Sequence, residues 1–257
     1  MKILAIGDVT SVGGVKHLED VLWKIRKEEK IDFCIVNAEN ASLISGATRE
    51  LAERLLMAGA DCLTGGNHTL RCRSVFSFLD ESQNMLRPIN YGDSAPGQGY
   101  TILDCMGYRL LIINAMGNVM IDPILDSPFP YIDRLLEREA GRYDLAILDL
   151  HAEATGEKLA VAHAYDGKIN IIFGTHTHVP TADEQVLPLG TGYISDIGMC
   201  GESGGILGMN RELIIARMRS HIPHKYEPAT GEPVANGAIF ELNPSTGRVS
   251  SVRRISF

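Results

Sequence analysis

Ile3-Leu4-Ala5-Ile6-Gly7-Asp8 opens the chain, and Phe33-Cys34-Ile35-Val36-Asn37-Ala38-Glu39-Asn40 repeats its design. Each is a short apolar run that stops at a polar, metal-capable residue. A run of four to six apolar residues bounded by turn formers reads as a buried strand. Between the two, Leu18, Val21, Leu22 and Ile25 recur at helical spacing within Val15 to Glu29. Thr48 to Ala58 reads as a second helix. Asp61 to Leu63 reads as a third strand, leading into Thr64-Gly65-Gly66-Asn67-His68. A βαβαβ rhythm of this kind predicts a parallel sheet.

The pattern then changes. Tyr100 to Cys105 and Tyr108 to Asn114 flank Met106-Gly107, which predicts an antiparallel hairpin. Leu145 to Leu150 is a strand candidate ending at His151, and Ile169 to Phe173 one ending at Gly174-Thr175-His176. Gly237 to Leu242 and Arg248 to Ile255 form a final pair, while Asp122 to Pro130 and Ile222 to Pro233 read as surface loops. Parallel and antiparallel strands with flanking helices predict an α/β fold: a two-sheet mixed sandwich, expected as one domain over residues 1–257.

The balance of 24 basic against 32 acidic residues, a net charge of -8, argues against a long nucleic acid as partner, because such binding depends on excess Lys and Arg. A small phosphorylated substrate stays open, since bound ions reverse the local potential. The five cysteines are scattered without a CxxC pair, which fits a reducing compartment. No apolar run approaches the ~18 residues of a membrane span. The expectation is a cytoplasmic protein with no membrane association; homo-oligomerisation is left open.

Strand ends carry the chemistry. Loops at the carboxyl ends of parallel strands converge on one crevice, so Asp8, Glu39, Asn67, His151 and His176 are expected to meet. Each alone is an ordinary turn or capping residue; five together are harder to dismiss. Gly174-Thr175-His176-Thr177-His178 is the sharpest signal. Two imidazoles at i and i+2 face one side of an extended segment, which reads as a metal site. Mixed Asp, Glu, Asn and His donors favour Fe or Mn over a Cys-rich structural zinc. Glycine-rich Gly201 to Gly205 reads either as a phosphate-cradling loop or as a flexible one. Cys200 reads as a structural thiol, with nothing adjacent to activate it.

Gly7-Asp8, Glu39-Asn40, Gly66-Asn67-His68, His151 and Gly174 to His178 resemble the ordered motifs of calcineurin-like metallophosphoesterases. More narrowly, the chain resembles the YmdB-like family of bacterial cyclic-nucleotide phosphodiesterases. Val36 to Asn40, Arg87 to Tyr91, Asp149 to Thr155, His176 to Asp183 and Asp196 to Met199 carry that resemblance nearly end to end. It implies two divalent or trivalent metal ions, with Asp8, Glu39, Asn40 and His178 on one. Glu39, Asn67, His151 and His176 would hold the other, and Glu39 would bridge. It also implies that His68 protonates the leaving oxygen of a small phosphodiester of the 2′,3′-cyclic AMP type, attacked by a water shared between the ions. A phosphomonoesterase or nuclease on the same site, and a non-catalytic metal-bound regulator, are the alternatives. The chain departs from the family at Thr10 to Val12, at Leu70-Arg71, at Gly156 and at Gly201 to Gly205, which bears on substrate choice.

Overall fold

The structure, a computed structural model, describes residues 1–42 and 46–257. In chain order the first half runs β1 (Lys2–Ile6), β2 (Asp8–Val9), α1 (Val12–Glu29), β3 (Phe33–Asn37), α2 (Arg49–Met57), β4 (Cys62–Thr64) and α3 (Phe76–Glu81). The hairpin β5 (Tyr100–Cys105) and β6 (Tyr108–Met116) follows, then α4 (Phe129–Arg138), β7 (Leu145–His151), α5 (Thr155–Ala164) and β8 (Ile171–Thr175). The remainder is β9 (Gln185–Val186), β10 (Gly192–Ile194), β11 (Met199–Glu202), α6 (Arg211–Ser220), β12 (Pro233–Leu242) and β13 (Val249–Ser256).

Two sheets result. The first has the order β2-β11-β12-β1-β3-β4, with β13 paired to β12; the second is β5-β6-β7-β8-β10-β9. The predicted parallel set β1-β3-β4 is present. So is the hairpin, whose Met106 and Gly107 both take the left-handed backbone that turns a right-twisted ribbon. Period-two alternation decides the layers. Ile3, Ala5, Phe33 and Ile35 face Leu110, Ile112, Ile147 and Phe173 of the second sheet. Leu4, Ile6, Cys34 and Val36 face Leu18 and Leu22 of α1 and Leu51 and Leu55 of α2. On the far side Leu111, Ile113 and Leu148 pack on Ile132 of α4 and Val161 of α5. The mixed two-sheet sandwich flanked by helices is therefore the observed architecture.

Several local expectations change. The first helix starts at Val12 because Ser11 caps it, its hydroxyl accepting from the Gly14 N–H. Asp8 does not end β1 but opens β2, which pairs with β11. Gly201 is neither a phosphate loop nor a flexible one: it lies within β11, between β2 and β12. A Cβ there would meet Thr10 Oγ1 at 2.1 Å, so the glycine serves close strand packing.

Candidate metal centre

The site lies where the two sheets meet at one edge. The first sheet supplies Asp8 at the head of β2, Glu39 and Asn40 just past β3, and Asn67 and His68 past β4. The second supplies His151 as the last residue of β7, and His176 and His178 just past β8. Asp8, Glu39, Asn67 and His151 are buried; Asn40, His68, His176 and His178 are half-buried. All eight predicted residues are brought together.

Their contacts fall into two groups. In one, His151 Nε2 is 3.0 Å from Asn67 Oδ1 and 3.1 Å from His176 Nδ1, with Glu39 Oε1 at 3.7 Å. In the other, His178 Nε2 is 3.7 Å from Asp8 Oδ1 and 3.4 Å from Asn40 Nδ2. Asp8 links the groups, since its Oδ1 is also 3.7 Å from His151 Nδ1. Asn40 presents its amide NH₂ to His178, while its oxygen is bonded to His68 Nδ1 at 2.6 Å. Its amide must turn over before its oxygen can join the donors.

The His176-Thr177-His178 segment is not extended, contrary to the reading from its spacing. His176 (φ 101°) and His178 (φ 65°) both sit in the left-handed region, where side-chain-bearing residues are uncommon and strained. The turn sends one ring toward His151 and the other toward Asp8, so the two imidazoles serve different groups.

Each ring has its other nitrogen committed. Glu153 Oε2 lies 3.1 Å from His176 Nε2. The Leu207 carbonyl accepts from His178 Nδ1 at 3.0 Å. The Thr175 hydroxyl, which donates to Asp149 Oδ1 at 2.8 Å, accepts from His151 Nδ1 at 2.9 Å. Acceptors on these three nitrogens place the protons there and leave lone pairs on His176 Nδ1, His178 Nε2 and His151 Nε2. Such outer partners fix tautomer and ring direction in metal-binding histidines. Below them Asn37 of β3 donates to Asp149 Oδ2 at 2.9 Å, tying the sheets together under the site. Burial pushes the Asp149 carboxyl up to about 7, against the hydrogen bonds from Thr64, Asn37 and Thr175.

Electrostatics leave the site short of positive charge. Burial pushes the Asp8 carboxyl up to about 6 against the pull of His178. Burial and then the Asp8 charge raise Glu39 well above the carboxylate range. Burial and the neighbouring His176 hold His151 far below the usual imidazole range. His176 is also lowered by burial, although Glu153 opposes this. Among the described residues no three His, Cys, Asp or Glu groups stand as a ready-made cage for an ion. Yet Asn67 Oδ1, His151 Nε2 and His176 Nδ1 converge as three acceptors, and the buried Asp8 Oδ1 has no hydrogen-bond partner. Facing lone pairs and an orphaned carboxylate oxygen are what a cation would satisfy. The donor set fits metal ions.

A cleft of about 790 Å³ opens beside these donors, lined by Asn40, His68, His176 and His178 together with Arg71 and Lys225. Glu153, Thr175, Leu207 and Asp149 were not singled out from the sequence as supports. Asp149 and Glu153 stand within quoted motifs, but their pairing with His151 and His176 is visible only in three dimensions.

A family model described as YmdB-like protein matches residues 4–255. The chain belongs to this YmdB-like family. Among its relatives, a Bacillus subtilis (strain 168) protein named 2′,3′-cyclic-nucleotide 2′-phosphodiesterase is 39% identical over 99% of this chain and 96% of its own. A solved structure described as a novel phosphatase from Mycoplasma pneumoniae superposes with a TM-score of 0.94 at 32% identity, covering 100% of this chain and 93% of that one. A hypothetical protein from Thermus thermophilus gives a TM-score of 0.93 at 36% identity, over 100% and 99% of the two chains.

Proposed function

We propose that this protein is a metal-dependent phosphodiesterase of small cyclic nucleotides, of the 2′,3′-cyclic AMP type, working in the cytoplasm as one domain over its 257 residues. The observation that carries this reading is the convergence of Asn67 Oδ1, His151 Nε2 and His176 Nδ1, on rings whose other nitrogens face acceptors, beside an Asp8 oxygen that has no partner. Asp8, Asn40 and His178 would hold one ion, Asn67, His151 and His176 the other, and Glu39 both; oxygen and imidazole donors suit Fe or Mn. Ions there would supply Lewis-acid polarisation of the phosphoryl group and lower the pKa of water.

The chain's own residues do the rest. Arg71 and Lys225 in the cleft wall attract the phosphodiester anion and help hold it. His68 is the proton donor to the leaving oxygen. Burial, followed by the repulsion of Arg71, pushes its imidazole down to about 4. At neutral pH the ring is therefore neutral, with Nδ1–H on the Asn40 oxygen while that amide faces away from the ion site; once it turned over, its NH₂ would donate to Nδ1 and leave the proton on Nε2. An anionic substrate against the ring shifts the balance toward the protonated form, so substrate binding loads the acid. Asn40 thus sets the ring's direction while standing beside His178.

The test is turnover by protein loaded with Mn or Fe and assayed for metal content. Bis(p-nitrophenyl) phosphate and 2′,3′-cyclic AMP are expected to be hydrolysed in preference to p-nitrophenyl phosphate. A preference for the monoester would move the assignment to a phosphomonoesterase. No turnover by fully loaded protein would defeat the enzyme reading.

A further inference from the structure

Beneath the His176-Thr177-His178 turn lies an ion pair that the catalytic reading leaves without a task. Lys158 of α5 and Asp196, between β10 and β11, are both buried and meet at 2.8 Å. The Lys158 ammonium also donates to the Thr175 carbonyl at 2.9 Å. Asp196 Oδ2 accepts the Thr177 N–H at 3.1 Å, and its Oδ1 accepts the Gly198 N–H at 2.9 Å. The Gly198 carbonyl in turn accepts the Asp8 N–H at 3.1 Å, and Asp8 Oδ2 accepts the His176 N–H at 3.1 Å. One carboxylate therefore holds the amide lying between two strained histidines and, through Gly198, the backbone of Asp8.

We propose that the Lys158–Asp196 pair is the positioning device of the candidate metal centre, holding the His176-Thr177-His178 turn in its left-handed path and in register with Asp8. The inference rests on the reading of His176, His178 and Asp8 as metal ligands.

Stability alone is a poor reason for such a pair. Burying two charges costs desolvation that their attraction rarely exceeds, and well-packed apolar replacements are often as stable. A turn with two residues at positive φ is different, because it persists only where the surroundings over-determine it. Asp196 supplies that constraint through Thr177, and Lys158 makes it tolerable to keep the carboxylate ionised and buried. Lys158 also fixes the Thr175 carbonyl at the end of β8, immediately before the turn. The packing leaves little slack: a Cβ on Gly174 would meet the Ser195 carbonyl at 1.9 Å and Lys158 Cδ at 2.9 Å. The ammonium thus holds the start of the turn and the carboxylate its middle.

The experiment compares Lys158→Met/Asp196→Asn with wild type and with Val161→Ala. The double variant removes both charges at nearly constant volume, so no unpaired charge stays buried. Val161 is buried on the same helix and serves as a control for simple destabilisation. Lys158→Gln/Asp196→Asn, equally free of buried charge, is the second variant, should the first one fail to fold. Mn²⁺ affinity is measured by calorimetry and the ligand field by the visible spectrum of the Co²⁺-loaded protein, with folding followed by circular dichroism.

Either folded double variant is expected to bind Mn²⁺ about 10- to 100-fold more weakly, the range for partners that orient ligands, with an altered Co²⁺ spectrum. Val161→Ala is expected to melt earlier with unchanged affinity and spectrum. A folded variant that binds Mn²⁺ as tightly as wild type, with the same spectrum, would overturn the proposal. A wild-type protein that binds no metal would overturn the underlying metal reading, and this inference with it.

Discussion

Asp8→Asn is expected to stabilise the metal-free protein while abolishing its response to metal. Burial raises the Asp8 carboxyl from its ordinary 3.8 to about 6. The difference is about 2.2 pH units, which at about 1.4 kcal/mol per unit is about 3 kcal/mol. The sign follows from proton binding. Between pH 4 and 6 the folded chain holds a proton that the unfolded chain has released, so stability present below about 3.8 is lost as the pH climbs through 6. Asparagine cannot ionise. Its oxygen can still accept the His176 N–H that Asp8 Oδ2 accepts at 3.1 Å, and its NH₂ can turn to the His178 ring. Removing the Asp8 charge also relieves Glu39, whose carboxyl it helps to raise. In EDTA at pH 7.5 the variant should melt about 6–12 °C above wild type, at about 2–4 °C per kcal/mol for a chain of this size. Scanning calorimetry from pH 4 to pH 8 measures it, and the gap should close toward pH 4. With saturating Mn²⁺ the order should reverse, because only wild type gains binding energy. Equal melting temperatures in EDTA across that range, or a gap as wide at pH 4 as at pH 8, would refute the reasoning.

Three further outcomes are expected. His68→Ala should keep its full complement of metal and lose about 10²- to 10⁴-fold in phosphodiesterase turnover, the usual contribution of a general acid; unchanged turnover with metal content verified would remove His68 from the chemistry. Glu153→Ala frees His176 Nε2 and should weaken metal binding about 10-fold or more, as titration calorimetry would show. Gly7→Ala places a Cβ 1.9 Å from the Gly198 carbonyl, so urea unfolding should show a loss of about 2–4 kcal/mol.

The layers of the fold were legible because β1, β3 and β4 are local apolar runs separated by periodic helices, and period two versus period 3.6 survives in a single sequence. The strand at Gly237 to Leu242 was legible too, but its place between β1 and β11 was not. β12 joins the first sheet antiparallel to β1 from the far end of the chain, and nothing in Pro233–Leu242 names its neighbour. β11 escaped because Met199–Glu202 is short and contains a glycine, which reads as a loop until Thr10 is seen against it. Of the candidate site, Asp8, Glu39, Asn67, His151 and His176 were legible because each stands near a strand end, His178 through its spacing from His176, and Asn40 only through the family resemblance. Their supports were not, because a Leu207 carbonyl or a Thr175 hydroxyl carries no signature of its own. The extended geometry expected of the His-x-His spacing is not found, since i and i+2 face one way only on an extended backbone and both histidines have positive φ.

The pairing of β2 with β11 also sets a timetable. Thr10, two residues beyond Asp8, is bonded to Cys200 across 190 positions of the chain. At ribosomal rates of about 5–20 residues per second, Asp8 waits roughly 10–40 s for the strand that fixes it. Glu39 and Asn67 emerge early and His176 and His178 late, so a chain shorter than 178 residues lacks part of the candidate donor set. Until then a nascent chain has the carboxylates without the full set of histidines. If the proposed centre binds metal, loading would be deferred until β11 and β12 close the first sheet around Asp8.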